Sequence, residues 1–396
     1  MIGEQLVDVP ARMAALGYYN KYTDLLEELD IPTTVVKTDS SFYGSDGNGG
    51  HICHCYDKSS VVNVYKAICV GGLRRLCKLL IALSKLCDNQ APIDPNGDSS
   101  QTFGDWLRVN LGLSSDRTFK CKHTGKDKDH DLPSLTCYDN PFAYIMVGSL
   151  SWMLSCTWEQ LATYPADIVL PYCQGLKMDR LGIGREGQVI RISPSIQVLE
   201  RALLYGVNKL QCGTRVTGID SKRMIDGAAY DAIVCAAEAR AVPKIIKSSS
   251  KVDTSIFGQI QYHPSTIYLH RDESFMPRNK KEWRTWNVEM SSGRKEPQLT
   301  FWLNEFYPDA KFDGNVFQTW SPAHQPQAEL ITRKSEFERV VHTARSRSII
   351  SEIDEKLQGK DGIFFAGSYS AYGMGLLEEA LISGRRASTG VLSNIG

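Results

Sequence analysis

The chain has 396 residues, 42% of them apolar and 23% charged, and its 45 Lys plus Arg balance 45 Asp plus Glu. That length holds roughly two to three domains of ordinary globular composition, and the charge balance gives no ground for a nucleic-acid partner. Eleven cysteines, odd in number and without a paired spacing, favour a reducing compartment such as the cytoplasm. The first residues carry Glu4 and Asp8 and lack the apolar run of a secretory signal.

From Gly17 to Pro32 the pattern predicts a helix with Leu25, Leu26 and Leu29 on one stripe, stopped before Pro32. Val35 and Val36 follow as a strand. Two glycine patterns need sorting. Gly182-Ile-Gly-Arg-Glu-Gly187 has dinucleotide-loop spacing but leads into Gln188-Val-Ile-Arg-Ile192, a strand pattern and not a helix, which excludes a pyrophosphate loop. Gly44-Ser-Asp-Gly-Asn-Gly-Gly50 reads as a turn. His51-Ile-Cys-His-Cys55 lacks the second spaced ligand pair of a zinc site, and its nearest companions, Cys121 and His123, are far off in sequence. It is expected to be a loop with free thiols, and no metal is expected.

Val61 to Leu86 reads as a helix. Arg74, Arg75, Lys78 and Lys85 could flank an apolar face, so it is either a core helix or a peripheral membrane contact. Residues 88–100 form a Pro/Gly/Asp/Ser loop, 103–113 a short helix and 115–131 an exposed loop. Asn140 to Trp158 holds no charged side chain and approaches the length of a membrane span. Its Asn, Pro, Gly and Ser content fits better with a helix lining a buried substrate cavity.

Between 188 and 247 the expected order is strand (Val189–Ile192), helix (Ile196–Leu204), two short strands (209–212 and 215–219), strand (230–237) and helix (240–246). Pro194 stands near the first helix start. Further on come Tyr262-His-Pro-Ser-Thr-Ile-Tyr-Leu-His-Arg-Asp272, Trp283-Arg-Thr-Trp-Asn287 and Leu299-Thr-Phe-Trp-Leu-Asn304. Alternation along Thr266–His270 leaves His270 open between a cavity role and a structural one.

The closing stretch carries the most chemistry. Ile363-Phe-Phe-Ala366 is a short apolar run, read as a buried strand; Gly367, Gly373 and Gly375 break the chain at its end; a helix begins near Leu376, with Glu378 and Glu379 in its first turn. Strand, glycine loop and helix N-terminus together can receive an electron-rich oxygen.

This stretch, Ala366-Gly followed by Gly375-Leu-Leu-Glu-Glu-Ala380 and Ser383-Gly-Arg-Arg-Ala387, resembles the closing flavin motif of the amine oxidase-like FAD oxidoreductases. Tyr18-Tyr-Asn20, Leu29-Asp-Ile-Pro32, Leu269-His-Arg-Asp272 and Trp283-x-x-Trp-Asn287 are similar to the predicted NAD/FAD-binding branch of that superfamily. The resemblance implies an α/β fold. A discontinuous, Rossmann-like FAD-binding domain (1–40, 186–252 and 358–396) would join a helical region (41–185) and a mixed-sheet substrate region (253–357).

It further implies FAD contacts at Val216, Gly367, Ser368, Gly375, Leu376 and Leu377, and a substrate pocket with His270, Trp286, Asn304 and Tyr372. No catalytic base is indicated. The expected function is hydride transfer to the flavin from a C–N or C–C/C–H bond of an apolar, lipid-like or fatty-acyl substrate. The family opens on a strand–Gly-x-Gly-x-x-Gly–helix unit that has no counterpart here, so the first βαβ is expected to be missing. The alternative expectation is therefore a non-catalytic chain that keeps the fold. Oligomeric state is not set by the sequence.

Overall fold

A computed structural model describes residues 6–45, 51–56, 81, 84–87, 101–111, 141–176, 188–290, 294 and 296–395. Its largest element is a seven-stranded sheet. The strand order is Ile331–Val341, Gln261–His270, Phe317–Trp320, Gln298–Trp302, Trp286–Glu289, Ser40–Ser45 and His51–Tyr56. All neighbours are antiparallel except Trp286–Glu289 beside Ser40–Ser45.

Alternation gives this sheet two unlike faces. On one, Phe42, Trp286, Val288, Leu299, Phe301, Trp320, Ile267 and Leu269 enter a core shared with Tyr19, Tyr22, Leu26 and Trp152. On the other, the register places Ser41, Asn287, Thr300, Thr319 and Tyr268 in one row across five strands. All five are buried. Buried polar atoms need partners, and here the row supplies its own: Thr300 Oγ1 and Thr319 Oγ1 lie 2.9 Å apart, and Asn287 Nδ2 donates to the Thr300 carbonyl at 3.2 Å.

A three-stranded antiparallel sheet, ordered Ala14–Ala15, Val189–Ile192, Thr33–Val35, packs into the apolar core. A separate parallel pair joins Ile233–Cys235 to Ile363–Phe365. The helices Phe103–Leu111, Trp158–Thr163 and Ala166–Gly175 form a second core around Trp106, Leu161, Tyr164 and Leu170. The uncharged stretch 140–158 forms the helix Pro141–Leu154, and Thr157 then starts Trp158–Thr163 through a capping box with Gln160. Among the described residues no helix is long and apolar enough to cross a membrane.

Two expectations change. His51–Tyr56 is an edge strand and not a loop, because it pairs along its whole length with Ser40–Ser45. This brings Cys53 Sγ and Cys55 Sγ to 3.7 Å, both in contact with Ser41 Oγ. Residues 209–212 and 215–217 form no strand: Leu210 is exposed, and only Ile219 makes isolated bridges. Without a neighbouring strand, a short β-prone run has nothing to pair with. Most of Val61–Leu86, and all of Gly182–Gly187, Cys121 and His123, lie outside the described residues.

Gln318 ties the N-terminal segment to the middle of the large sheet. Its buried carboxamide accepts from Ala11 N–H at 2.7 Å and Trp320 Nε1–H at 3.0 Å, and donates to the Asp8 carbonyl at 3.0 Å. Gln318→Ala would leave three buried groups unsatisfied and is expected to cost about 3 kcal/mol of unfolding free energy in urea titration. A loss within experimental error of zero would mean that this segment is not held there.

Candidate functional site

The strand Ile363–Phe365 is buried at every position. One edge pairs with Ile233–Cys235, extended by Ala366 N–H to the Cys235 carbonyl at 3.1 Å. The other edge is closed by neighbouring residues. Gly359 N–H donates to the Ile363 carbonyl at 2.9 Å. The Gln358 carboxamide takes the N–H of Phe365 and donates to its carbonyl, both at 2.8 Å. Ser383 Oγ, one turn inside the last helix, accepts from Gly367 N–H at 2.9 Å and lies 3.0 Å from the Gly367 carbonyl.

Glycine is required where the chain leaves this strand. Gly367 has φ 152°, and a Cβ there would come 2.7 Å from the Tyr369 ring. At Gly375, φ is 70° and a Cβ would come 3.0 Å from His342 Nε2. The helix Leu377–Ile395 follows. Its first-turn carboxylates are fully engaged. Glu379 accepts from Leu376 N–H at 2.8 Å and from the Tyr18 hydroxyl at 2.7 Å, while that hydroxyl accepts from Met374 N–H at 3.3 Å. Glu378 accepts from the N–H groups of Lys21 and Tyr22, both at 2.8 Å. It thereby caps the helix Asn20–Glu28, whose own N-cap residue supplies no side-chain bond. Burial pushes the Glu378 carboxyl up, and burial with the neighbouring Glu379 pushes the Tyr18 phenol up.

The arginines brace the same loop. Arg386 bonds the Ser370 carbonyl and Asp354, and Arg385 pairs with Glu28 at 2.9 Å. Tyr372 donates to Asp167 Oδ1 at 2.9 Å, and Arg347 pairs with Asp167 while lying 4.0 Å over the Tyr372 ring. Tyr372 thus joins the loop to the helix Ala166–Gly175.

His342 is buried against the loop, its ring 6.0 Å edge-on from Tyr164. Among the described residues its Nε2 has no hydrogen-bond partner, and burial pushes its pKa down to about 4. Close by in sequence, Arg339 donates to the Met153 carbonyl at 2.8 Å and lies 5.3 Å over Trp320. Burial lowers its pKa against the opposing pull of Tyr19, Tyr172 and Tyr164.

The expected substrate residues do not converge. His270 has both ring nitrogens engaged: Nε2 is 2.7 Å from Thr319 Oγ1, and Nδ1 accepts from Asp272 N–H at 3.1 Å. Burial pushes its pKa down to about 4. Asp272 accepts from Ser274 and Gln327 N–H, both at 3.0 Å. Asn304 closes a loop through the Gly314 carbonyl and Val316 N–H. Trp286 lies on the opposite face of the sheet from His270, edge-on to Trp152 at 5.2 Å and Phe301 at 6.0 Å, with its Nε1 unpartnered. Val216 packs partly buried against the cluster that contains Ile233 and Phe365. Ser368 begins the turn Ser368–Ser370, and Leu376 and Leu377 pack on the main core. Sequence reading missed Gln358, Ser383, Tyr18 and His342. Only Tyr18 and Ser383 fell inside a noticed motif.

No family model matches the sequence, and no curated protein matches it. Solved structures do share the fold. The CLA-producing fatty acid isomerase from P. acnes matches with TM-score 0.56 and 12% identity, over 96% of this chain and 86% of that one. Cyclohexylamine oxidase from Brevibacterium oxydans IH-35A matches with TM-score 0.55 and 12% identity, over 97% and 87%. Putrescine oxidase matches with TM-score 0.54 and 10% identity, over 95% and 86%. The chain shares the mixed α/β fold of these three proteins.

Both buried histidines are neutral in the folded protein and gain a proton on unfolding below their ordinary pKa of 6.5. Their contribution is complete above that value and is lost as pH falls towards about 4, at up to about 1.4 kcal/mol per pH unit for each ring. Comparing urea unfolding at about pH 7.5 and about pH 5, His342→Gln should shrink the difference by about 2 kcal/mol. An unchanged difference would show that His342 titrates alike folded and unfolded.

Proposed function

We propose that the chain is an FAD-dependent oxidoreductase of the amine oxidase-like kind, acting on an apolar substrate. One observation carries the reading: a buried parallel strand runs through Gly367 and a glycine loop into the N-terminus of a 19-residue helix. It does so within a fold shared, along nearly the whole chain, with two amine oxidases and a fatty acid isomerase.

The residues fit a flavin at the loop in one respect. His342 Nε2, buried and unpartnered, faces the side-chain-free Gly375. Gly367, Ser368 and the Gly375–Leu377 backbone would hold the ring, and Val216 would lie towards the adenine. Bound flavin would supply the hydride acceptor. A lipid-like substrate, oxidised at a C–N or C–H bond, is consistent with one fold neighbour being a fatty acid isomerase.

A second reading, a chain that keeps the fold without catalysis, is favoured by a different observation. The N–H groups of Gly367, Met374 and Leu376 are already bonded to Ser383, Tyr18 and Glu379. A ligand using Leu376 N–H must displace the Glu379 carboxylate.

The visible spectrum of the purified protein, before and after adding FAD, separates the two. The flavoenzyme reading expects flavin absorbance near stoichiometric occupancy, bleaching anaerobically with an oxidisable amine or fatty-acyl substrate. A folded, colourless protein that takes up no added FAD would leave the second reading standing.

A further inference from the structure

Away from the glycine loop, the central strand of the small sheet carries a buried cation that makes no close ion pair among the described residues, although the Asp8 carboxylate is near enough to attract it. Arg191 is 5% exposed. Its guanidinium lies 4.6 Å over the Tyr307 ring, and its one hydrogen bond among the described residues is a long one, 3.3 Å, to the carbonyl of Ile192. Its Nε has no partner, and among the described residues it makes no ion pair. A buried charge without a close hydrogen-bonded partner is costly. The carboxylate beside it, Asp8, is directed elsewhere: both oxygens accept from Ile196 N–H at 3.2 Å.

Arg191 does not face solid core. It lines a cleft together with Asp8, Arg12, Met13, Tyr22 and Ile196. Arg12 is exposed, on the segment that Gln318 holds in place. The cleft as a whole has room for little more than a water molecule. It admits one oxygen of an oxyanion at most, and the rest of the group must stay outside. A single charge-assisted hydrogen bond from the guanidinium to that oxygen suits this geometry.

We propose that Arg191 and Arg12 form a binding site for a phosphate group, either free or carried on a larger molecule. The inference stands apart from the flavin reading, since it rests on an unpaired buried arginine and a cleft, neither of which involves the glycine loop. Binding supplies an acceptor for the Arg191 Nε–H, which has none among the described residues.

The test is calorimetric titration of the full chain with inorganic pyrophosphate, against sodium chloride at matched ionic strength. Saturable binding to the wild type is expected, weakened about tenfold or more in Arg191→Met, which loses the charge-assisted bonds. The unliganded unfolding midpoint of Arg191→Met should be unchanged or higher, because an unpaired charge has been removed. Arg12→Ala, at an exposed position, should fold normally and bind a few-fold more weakly. FAD competing with pyrophosphate would assign the phosphate to a dinucleotide; pyrophosphate binding without such competition would assign it to the free ion. No binding beyond the chloride control, or equal affinity in Arg191→Met, overturns the proposal. Should Arg191→Met fail to fold, unchanged affinity in Arg12→Ala overturns it.

Discussion

Two adjacent carboxylates, Glu378 and Glu379, hold the molecule's two ends together. The N-terminus of a helix carries a partial positive charge from its unbonded N–H groups. Two such ends meet here, those of Leu377–Ile395 and Asn20–Glu28, and each takes one carboxylate. Caps of this kind contribute about 1 kcal/mol each, but their geometric effect is larger. They fix the entry of the last helix, place the Tyr18 hydroxyl between Glu379 and Met374, and so set the course of the glycine loop. The loop lies where it does because the first helix needs a cap.

This alters the meaning of the closing motif. Its conspicuous residues are those that bind the chain to itself. Ser383 holds Gly367, Arg386 holds Ser370, Arg385 reaches Glu28, and Glu379 fills the space beside Gly373. A motif can mark a ligand site and still consist mainly of the braces that shape it. The residues around the site, such as His342, come from strand ends distant in sequence and carry no pattern of their own.

What was legible in the sequence follows the same division. Local signals worked: the apolar runs at 189–192 and 363–365, the stripe through Leu26, and the last helix all stand where periodicity placed them. Pairing did not show. His51–Tyr56 became a strand because Ser40–Ser45 lies beside it, whereas 215–217 has no strand beside it among the described residues and Thr217 bonds the Asp226 side chain instead. The motif residues His270, Asp272, Asn287 and Asn304 were legible as polar residues in an apolar context. Their task was hidden, because whether a buried polar group meets a ligand or a backbone amide depends on tertiary neighbours. Here all four meet protein groups. Arg191 is the reverse case, unremarkable within Val189–Ile192 and conspicuous only once its Nε is seen to lack a partner among the described residues.

The Gln358 carboxamide has one more consequence. A buried strand at the end of a small sheet normally presents a row of unpaired amides, which is a template for another chain. At Phe365 both backbone groups are occupied by a side chain imitating the next strand, and the Ser383 hydroxyl repeats the device at Gly367. A side chain can rotate away where a strand cannot easily peel. The edge is therefore guarded against intermolecular β-pairing by a latch that opens through a torsion change, leaving the rest of the sheet intact.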